Sequence, residues 1–508
     1  ERQVTLSPPV EKISVKLDTP TREDQRDYLR RLHDFLHKNN YKLKTNRGNN
    51  NYIINKLSTI NKSGKITLTV QEGRIIELEE GDTAADLYGI AADIGTTTIA
   101  LYLLDLNNGR EVDVISLRNP QQNYGADVIS RINFTLEDEK GILKLKEVLV
   151  KGLNNAISLL LTRNNLDDKD VYTMTIAGNT VMLHTLAGIS AGSIARNPYI
   201  PVFTDSLDFE PSELGIDINP HGFIRFLPGI SGYVGADIIG DLLVVDHKTD
   251  SWNLMIDIGT NGEIVLGKKG RLYSCSAAAG PAFEGANILF GMPGVPGAIS
   301  EYSIGSNGQI DFKTVGNKQA KGICGSGLVD IIAALLRQGY LTDSGAIKSD
   351  VNLEKNQREN IVTYKGKKAF RVLQAEETAI EDDILLTQKD IREFQLAMGA
   401  IKAGIKILIN EAEITYNQIE TVYLAGGFGN YINAHNACYL SLLPLQLEQK
   451  IVRIGNGAGM GAKLYLLDRR SAELAEEIRE DVSYIELSSR KGFQTEFMNS
   501  MYLGDSAP

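Results

Sequence analysis

Cysteine is scarce in this chain: three residues in 508, Cys275, Cys324 and Cys438, far apart and without a C-x-x-C spacing. That excludes a disulfide framework or a four-cysteine iron–sulfur site within these residues and leaves small buried apolar groups. Histidine is scarce too, six in all, without a metal-ligand pattern. His33 and His37, four apart on a predicted helix, read as solvated surface positions. No stretch reaches the roughly 18 uninterrupted apolar residues that span a bilayer, and no signal peptide opens the sequence. An excess of positive charge is also missing. The 64 acidic residues outnumber the 53 basic ones for a net −11, which makes nucleic acid or an anionic membrane a poor partner. The expectation is a cytosolic globular protein, and 43% hydrophobic content over this length supplies cores for several domains.

What is present is a motif that occurs twice. Ala91-Ala-Asp-Ile-Gly-Thr-Thr-Thr-Ile-Ala-Leu-Tyr-Leu103 and Leu254-Met-Ile-Asp-Ile-Gly-Thr-Asn-Gly-Glu-Ile-Val-Leu266 each run apolar to an aspartate, turn at Ile-Gly-Thr, and return β-rich. Each is a β-hairpin signature. Glycine lets the chain pass close to a bound group, and hydroxyls and freed N–H groups of such a turn can bond phosphate oxygens. Asp93 and Asp257 end the first strands, placed to hold a hydrated Mg²⁺. Two hairpins this far apart predict two similar lobes clamping a nucleotide, each a half-domain rather than a solenoid unit.

In chain order, residues 1–18 read as a linker cut from something larger, with Ile13–Leu17 strand-like, and 19–86 as a small α+β module. There Asp18-Thr-Pro-Thr predicts a helix start running to about Lys38, and Ile53–Ile60, Lys65–Gln71 and Arg74–Glu79 alternate like strands. Residues 87–250 form the first large lobe and 251–508 the second, with a tail packing back on it. The second contains glycine turns feeding helices at Ser276–Ile288 and Gly322–Leu336, and a peripheral excursion over 341–385. Thr387 and Asp390 form a capping box for a long helix to about Glu413. Strands alternating with helices argue for α/β architecture with helices on both faces of two sheets.

The candidate residues follow from these turns. Gly95, Thr96 and Thr97 in the first and Gly259, Thr260 and Asn261 in the second are the phosphate contacts; Asp93 and Asp257 serve both metal binding and catalysis. Gly426-Gly427 reads either as a tight strand-to-helix turn or as a gap where adenosine lies flat against the chain. Gly325 and Ser326 either contact a ribose or simply admit a helix. Gly457-Ala-Gly459 is expected to be a close helix crossing at a hinge. Gln121, Glu263 and Glu284 are candidates for positioning water or metal, with capping or surface roles as the alternative. Lys389 and Lys402 read as solvated helix faces, with contact to the nucleotide as the lesser alternative.

The order of Asp93-Ile-Gly-Thr-Thr97, Asp257-Ile-Gly-Thr260, Gly426-Gly427 and Gly457-Ala-Gly459 resembles the phosphate, adenosine and connecting-helix motifs of the acetate/sugar kinase, heat-shock chaperone and actin superfamily. That resemblance implies two RNase-H-like lobes, an actin-type ATPase fold, and an ATP site to which Gly280 and Glu284 contribute. Closer strings are Asn119-Pro-Gln-Gln-Asn-Tyr-Gly-Ala-Asp-Val-Ile-Ser-Arg131, Ala177-Gly-Asn-Thr180, Gly280-Pro-Ala-Phe-Glu-Gly285 and Leu386-Thr-Gln-Lys-Asp-Ile-Arg392. These resemble the reductive activators of corrinoid proteins. The family implies an ATPase with Mg²⁺ that helps return a corrinoid protein from Co(II) to Co(I) in methyl-transferring systems of anaerobes, and favours a homodimer. Such activators carry a [2Fe–2S] cluster in an N-terminal domain. With no cysteine before Cys275, this chain is expected to lack that domain and to bind no cluster. The rival reading is a small-molecule kinase, for which Asp237 and Asp241 lie in the right region to supply a base. A third is a non-catalytic nucleotide-gated scaffold.

Overall fold

The structure, a computed structural model, describes residues 5–42, 44–45, 50–59, 64–245, 248–348 and 358–504. The N-terminal module contains β1 (Val10–Lys16), α1 (Tyr28–Lys38), β2 (Lys44–Thr45), α2 (Asn50–Ser58), β3 (Lys65–Gln71) and β4 (Arg74–Glu80), its strands in the order β1-β3-β4-β2. The expected linker therefore contains a full strand, paired from Val10↔Gln71 to Lys16↔Lys65.

Two expectations here are corrected. The first helix begins at Tyr28, capped by the Asp27 carboxylate, rather than near Pro20. Asp24 instead anchors a loop, 2.7 Å from both the Arg26 and the Arg31 guanidinium groups. The stretch Ile53–Ile60 is helix α2 rather than a strand, as far as its described residues go; Ile60 lies outside them. Ile53 and Leu57 are four apart and both buried, so helical spacing satisfied the core where β-branched composition suggested extension.

The chain divides into two compact units, Glu1–Val244 with Ala458–Glu480, and Val245–Gly457 with Asp481–Pro508. Beyond the module, the first unit contains β5 (Tyr88–Ile94), β6 (Thr98–Asp105), β7 (Arg110–Arg118), α3 (Val128–Glu137), α4 (Gly141–Arg163), β8 (Val171–Gly178), α5 (Thr180–Ala187), β9 (Leu207–Phe209) and β10 (Phe223–Phe226). Its sheet runs β7-β6-β5-β8-β10-β9. The strands β7, β6 and β5 form an antiparallel meander, and β8 and β10 then add in parallel. The central strand β8 is buried along its whole length, as a strand covered on both faces must be. The module packs on this strand: Lys12 Nζ lies 2.7 Å from Glu79 Oε2 and 4.8 Å over the Tyr172 ring.

The second unit repeats the plan with β11 (Trp252–Ile258), β12 (Gly262–Lys268) and β13 (Arg271–Ala277). These form an antiparallel meander, to which Ile419–Ala425 adds in parallel beside β11, Ile451–Gly455 in parallel beside that strand, and Val482–Tyr484 in parallel beside β13. The long helix Gln388–Ala412 has the expected Thr387–Asp390 capping box and packs on β12 and β13. Ser276–Ile288 yields only the single turn Pro281–Glu284 instead of a helix, because Gly280 and Gly285 on either side hold positive φ. The supposed excursion contributes Phe370, Val372 and Ile384 to the core of this unit.

Candidate functional site

In the first unit the hairpin between β5 and β6 turns at Gly95–Thr97, with Asp93 half-buried at the end of β5. Polar side chains hold the turn's carbonyls. Asn119 Nδ2 donates to the Gly95 carbonyl at 2.8 Å, Arg131 Nη2 to that of Thr96 at 2.6 Å, and Gln122 Nε2 to that of Thr97 at 3.3 Å. Pulling carbonyls back in this way favours presenting the N–H edge of the turn to an anion. Arg131 is fully buried, and it also donates to the Gly125 carbonyl at 2.9 Å and to Gln121 Oε1 at 3.2 Å. Gln121 is fully buried as well, and its amide donates to the Leu145 carbonyl at 3.1 Å. It therefore stands behind the hairpin as part of its support.

A strap formed by Gly178, Asn179 and Thr180 runs from β8 into α5. Asn179 caps α5 by accepting from the Met182 N–H, and its Nδ2 donates to Thr96 Oγ1 at 3.0 Å. The loop 229–237 lies against this strap, so closely that a Cβ on Gly235 would stand 2.6 Å from Asn179 Cα. Asp237 opens the next helix, Ala236–Val244. Burial raises its carboxyl to about 6, against the opposing pull of backbone N–H groups such as that of Ile238 at 3.0 Å. Further along, Gly240 meets the helix Gly457–Leu467: a Cβ on Gly240 would stand 2.9 Å from the Ala458 carbonyl, and one on Gly461 would collide with Gly240. The close crossing expected at Gly457-Ala-Gly459 thus centres on Ala458 and Gly461.

In the second unit Asp257 and Glu263 are direct cross-strand partners on β11 and β12, so their half-buried carboxylates share one face. Gly426 explains itself here. Its φ is +78°, and a Cβ would collide with Asp257 Oδ1, so only glycine lets the end of Ile419–Ala425 reach the carboxylate. Gly427 faces open space. Thr260 Oγ1 donates to Glu284 Oε1 at 2.9 Å, and Ser276 Oγ to Glu263 Oε1 at 3.3 Å. Phe283 and Phe428 stack at 4.5 Å beside Gly325, which enters its helix against the Phe283 carbonyl. Ser326 donates to the Ser300 carbonyl at 3.0 Å. Gly259, Asn261 and Gly280 are partly exposed.

Of the other candidates, Lys389 is exposed, whereas Lys402 is buried with Nζ 3.5 Å from the Gly504 carbonyl. A cavity of about 570 Å³, lined by Leu341, His435, Cys438 and Tyr439 among others, contains none of the expected residues. All three cysteines are buried free thiols; burial pushes Cys438 up to about 12 and raises Cys275 further. Among the described residues no cluster of three or more His, Cys, Asp or Glu side chains could hold a metal, and no helix is long and apolar enough to cross a membrane. Sequence reasoning missed Arg131, Asn119 and Asn179 as parts of the site. All three lie inside strings it had singled out.

Two sheets of one plan, each carrying an acidic hairpin turn, define an actin-type nucleotide-binding protein. Family models cover the chain in three consecutive pieces: the linker region of RACo over residues 1–85, its middle region over 88–250, and the "C-terminal domain of RACo the ASKHA domain" over 251–507. The chain belongs to this family of reductive activators. It is similar to "Corrinoid activation enzyme RamQ" of Eubacterium limosum, 36% identical over 87% of this chain and 75% of the relative. It is also similar to "[Co(II) methylated amine-specific corrinoid protein] reductase" of Methanosarcina barkeri, 26% identical over 82% of this chain and 76% of the relative. Among solved structures, a "Reductive activator for corrinoid,iron-sulfur protein" superposes with a TM-score of 0.87 at 33% identity, covering 99% of this chain and 80% of that one.

Proposed function

We propose that this chain is an ATP-dependent reductive activator, which takes a corrinoid protein in its inactive Co(II) state and couples ATP binding and hydrolysis to its reduction to Co(I). The observation that carries this reading is the 36% identity along 87% of the chain to a corrinoid activation enzyme. Reduction of Co(II) is uphill from ordinary donors, and a protein shifts that equilibrium only by binding the two states unequally. ATP turnover then supplies a conformational change that releases the partner after one electron has passed to cobalt.

The nucleotide is held by the turns described above. Thr96, Thr97, Thr260 and Asn261 meet phosphates, and Gly426-Gly427 with Gly280, Gly325 and Ser326 leave room for the nucleoside. Asp93 and Asp257 are the candidates for Mg²⁺, because carboxylate oxygens suit a hard cation, and Gly426 spares Asp257 Oδ1 the collision that a Cβ would bring. When bound, Mg²⁺ offsets phosphate charge. Glu263 and Glu284 would order water near the phosphates, and Gln121 acts by supporting the hairpin. The cysteines do not fit an iron–sulfur cluster, since each is buried separately, so the electron comes from a donor other than these thiols. The family resemblance favours a [2Fe–2S] protein domain as that donor, a homodimeric state and a cytoplasmic setting.

The test mixes the protein with a cob(II)alamin-bearing protein and a low-potential reductant, with and without MgATP, and follows the corrinoid absorption spectrum. Growth of the Co(I) spectrum that depends on ATP is the expected result; equal rates without nucleotide would sink the proposal. Phosphate release without a phosphorylated acceptor separates it from a small-molecule kinase.

A further inference from the structure

His184 is fully buried on α5, outside every group assigned above, and both of its ring nitrogens are used. Nδ1 lies 2.7 Å from the Thr180 carbonyl, one turn back, and Nε2 lies 3.0 Å from the backbone N of Val202. A carbonyl only accepts and a backbone N–H only donates, so the ring is neutral with its proton on Nδ1. Burial favours that neutral form by lowering the imidazole pKa. The ring also stacks on Phe203 at 4.2 Å and 7°.

The two partners belong to very different places. Thr180 follows Asn179, which holds Thr96 of the first hairpin, and the Thr180 hydroxyl donates to the Ser231 carbonyl at 2.6 Å. Val202 belongs to a surface loop in which Ile200 and Val202 are 60% and 63% exposed. Beneath this loop, between Phe203, Thr204 and Thr180, lies a void of about 10 Å³, room for at most one water. The loop is thus tied to the strap through one imidazole across an imperfectly filled gap. We propose that His184 is a positioning residue for the nucleotide site: it links the backbone of the exposed loop at Val202 to the strap residues Asn179 and Thr180, so that the loop's position sets nucleotide affinity. This rests on the reading of the first hairpin as a phosphate contact.

The test is a double-mutant cycle read by fluorescent-ATP binding and by ATPase kinetics on the full chain. His184→Phe keeps the stack on Phe203 and removes both hydrogen bonds; Val202→Pro removes the loop's donor and leaves the imidazole in place. Each single change is expected to weaken nucleotide binding about fivefold, the loss of roughly one buried hydrogen bond, with kcat at saturating ATP within about twofold. The double variant should be no weaker than the worse single one, because both break the same link. His184→Gln, whose amide can donate to Thr180 and accept from Val202, should recover most of the affinity.

Additive losses, or unchanged affinity in both single variants with normal wild-type binding, would overturn the link while leaving the nucleotide site standing. If wild-type protein bound no nucleotide, the site reading would fail and the link with it. Should His184→Phe not fold, Val202→Pro alone decides, since its side chain lies outside the core and an unchanged affinity there would also refute the proposal.

Discussion

The two acidic hairpins share a sheet plan and a sequence, yet their surroundings hold them by opposite means. The turn after Asp93 is held by added side chains: Asn119, Gln122 and Arg131 each bind one of its carbonyls. The turn at Asp257 is shaped by a side chain that is absent, since Gly426 brings a neighbouring strand end against the carboxylate. One turn depends on polar bonds in a buried setting and the other on close backbone approach. The same motif therefore fails in different ways when each is disturbed.

The largest effect should come from the second turn. Gly426→Ala places a methyl group against Asp257 Oδ1 in a left-handed backbone conformation, so it strains the chain and displaces the carboxylate together. ATPase activity should fall at least about a hundredfold, the scale for losing a preorganised charge contact. Asp257→Asn and Asp93→Asn should fall as far, with the fold intact by circular dichroism. Turnover near wild type in Gly426→Ala would show that Asp257 does not need its present position.

Next comes the first turn. Arg131→Met leaves the Thr96 and Gly125 carbonyls and Gln121 without their donor inside the protein. A loss of about 3–5 kcal/mol in chemical denaturation is expected. Lysine should not rescue it, because it lacks the planar fork that reaches three acceptors. A loss under about 1 kcal/mol would mean that water replaces the guanidinium, and that the first turn is as independent of its surroundings as a free hairpin.

These contrasts also show what could be read in advance. The hairpins, the duplication and the capping box at Thr387 were legible because each is a local pattern of alternation, turn chemistry or spacing. Arg131 was not, because composition places arginine at the surface and only the fold collects three oxygen acceptors around one guanidinium. Ile53–Ile60 misled because isoleucine favours strands, while burial at i and i+4 decided for a helix. The collision that requires glycine at 426 involves Asp257, a residue far away in the chain, and no local pattern records it. The close crossing was anticipated from its small residues, but its centre moved to Gly461, where the partner is the Gly240 backbone.

A third difference is sensitivity to pH. Asp237, beside the strap of the first unit, has its carboxyl raised from 3.8 to about 6 by burial. The folded state therefore holds this proton more tightly than the unfolded chain does. Its contribution to stability is full below about pH 4 and is lost as pH rises through about 6, some 3 kcal/mol in all. Comparing thermal melts of wild type and Asp237→Asn at several pH values isolates it: the difference between them should change over that window and be flat above it. A flat difference throughout would place Asp237 in contact with water.

The smallest effect sharpens the contrast most directly, because one chemical change can be made in both turns. Thr260→Val removes the hydroxyl that donates to Glu284, and Thr96→Val removes the acceptor used by Asn179. Each loses one hydrogen bond worth about 1 kcal/mol. In the first turn three carbonyl ties from Asn119, Gln122 and Arg131 remain, so the backbone should keep its shape and the stability loss stay below that figure. In the second turn the Thr260 hydroxyl links the loop to Glu284 beside a close backbone approach, and the loss should reach or exceed it. Equal losses in denaturation experiments on the two variants would mean that the extra side chains of the first turn add no rigidity, and that the two hairpins are held alike.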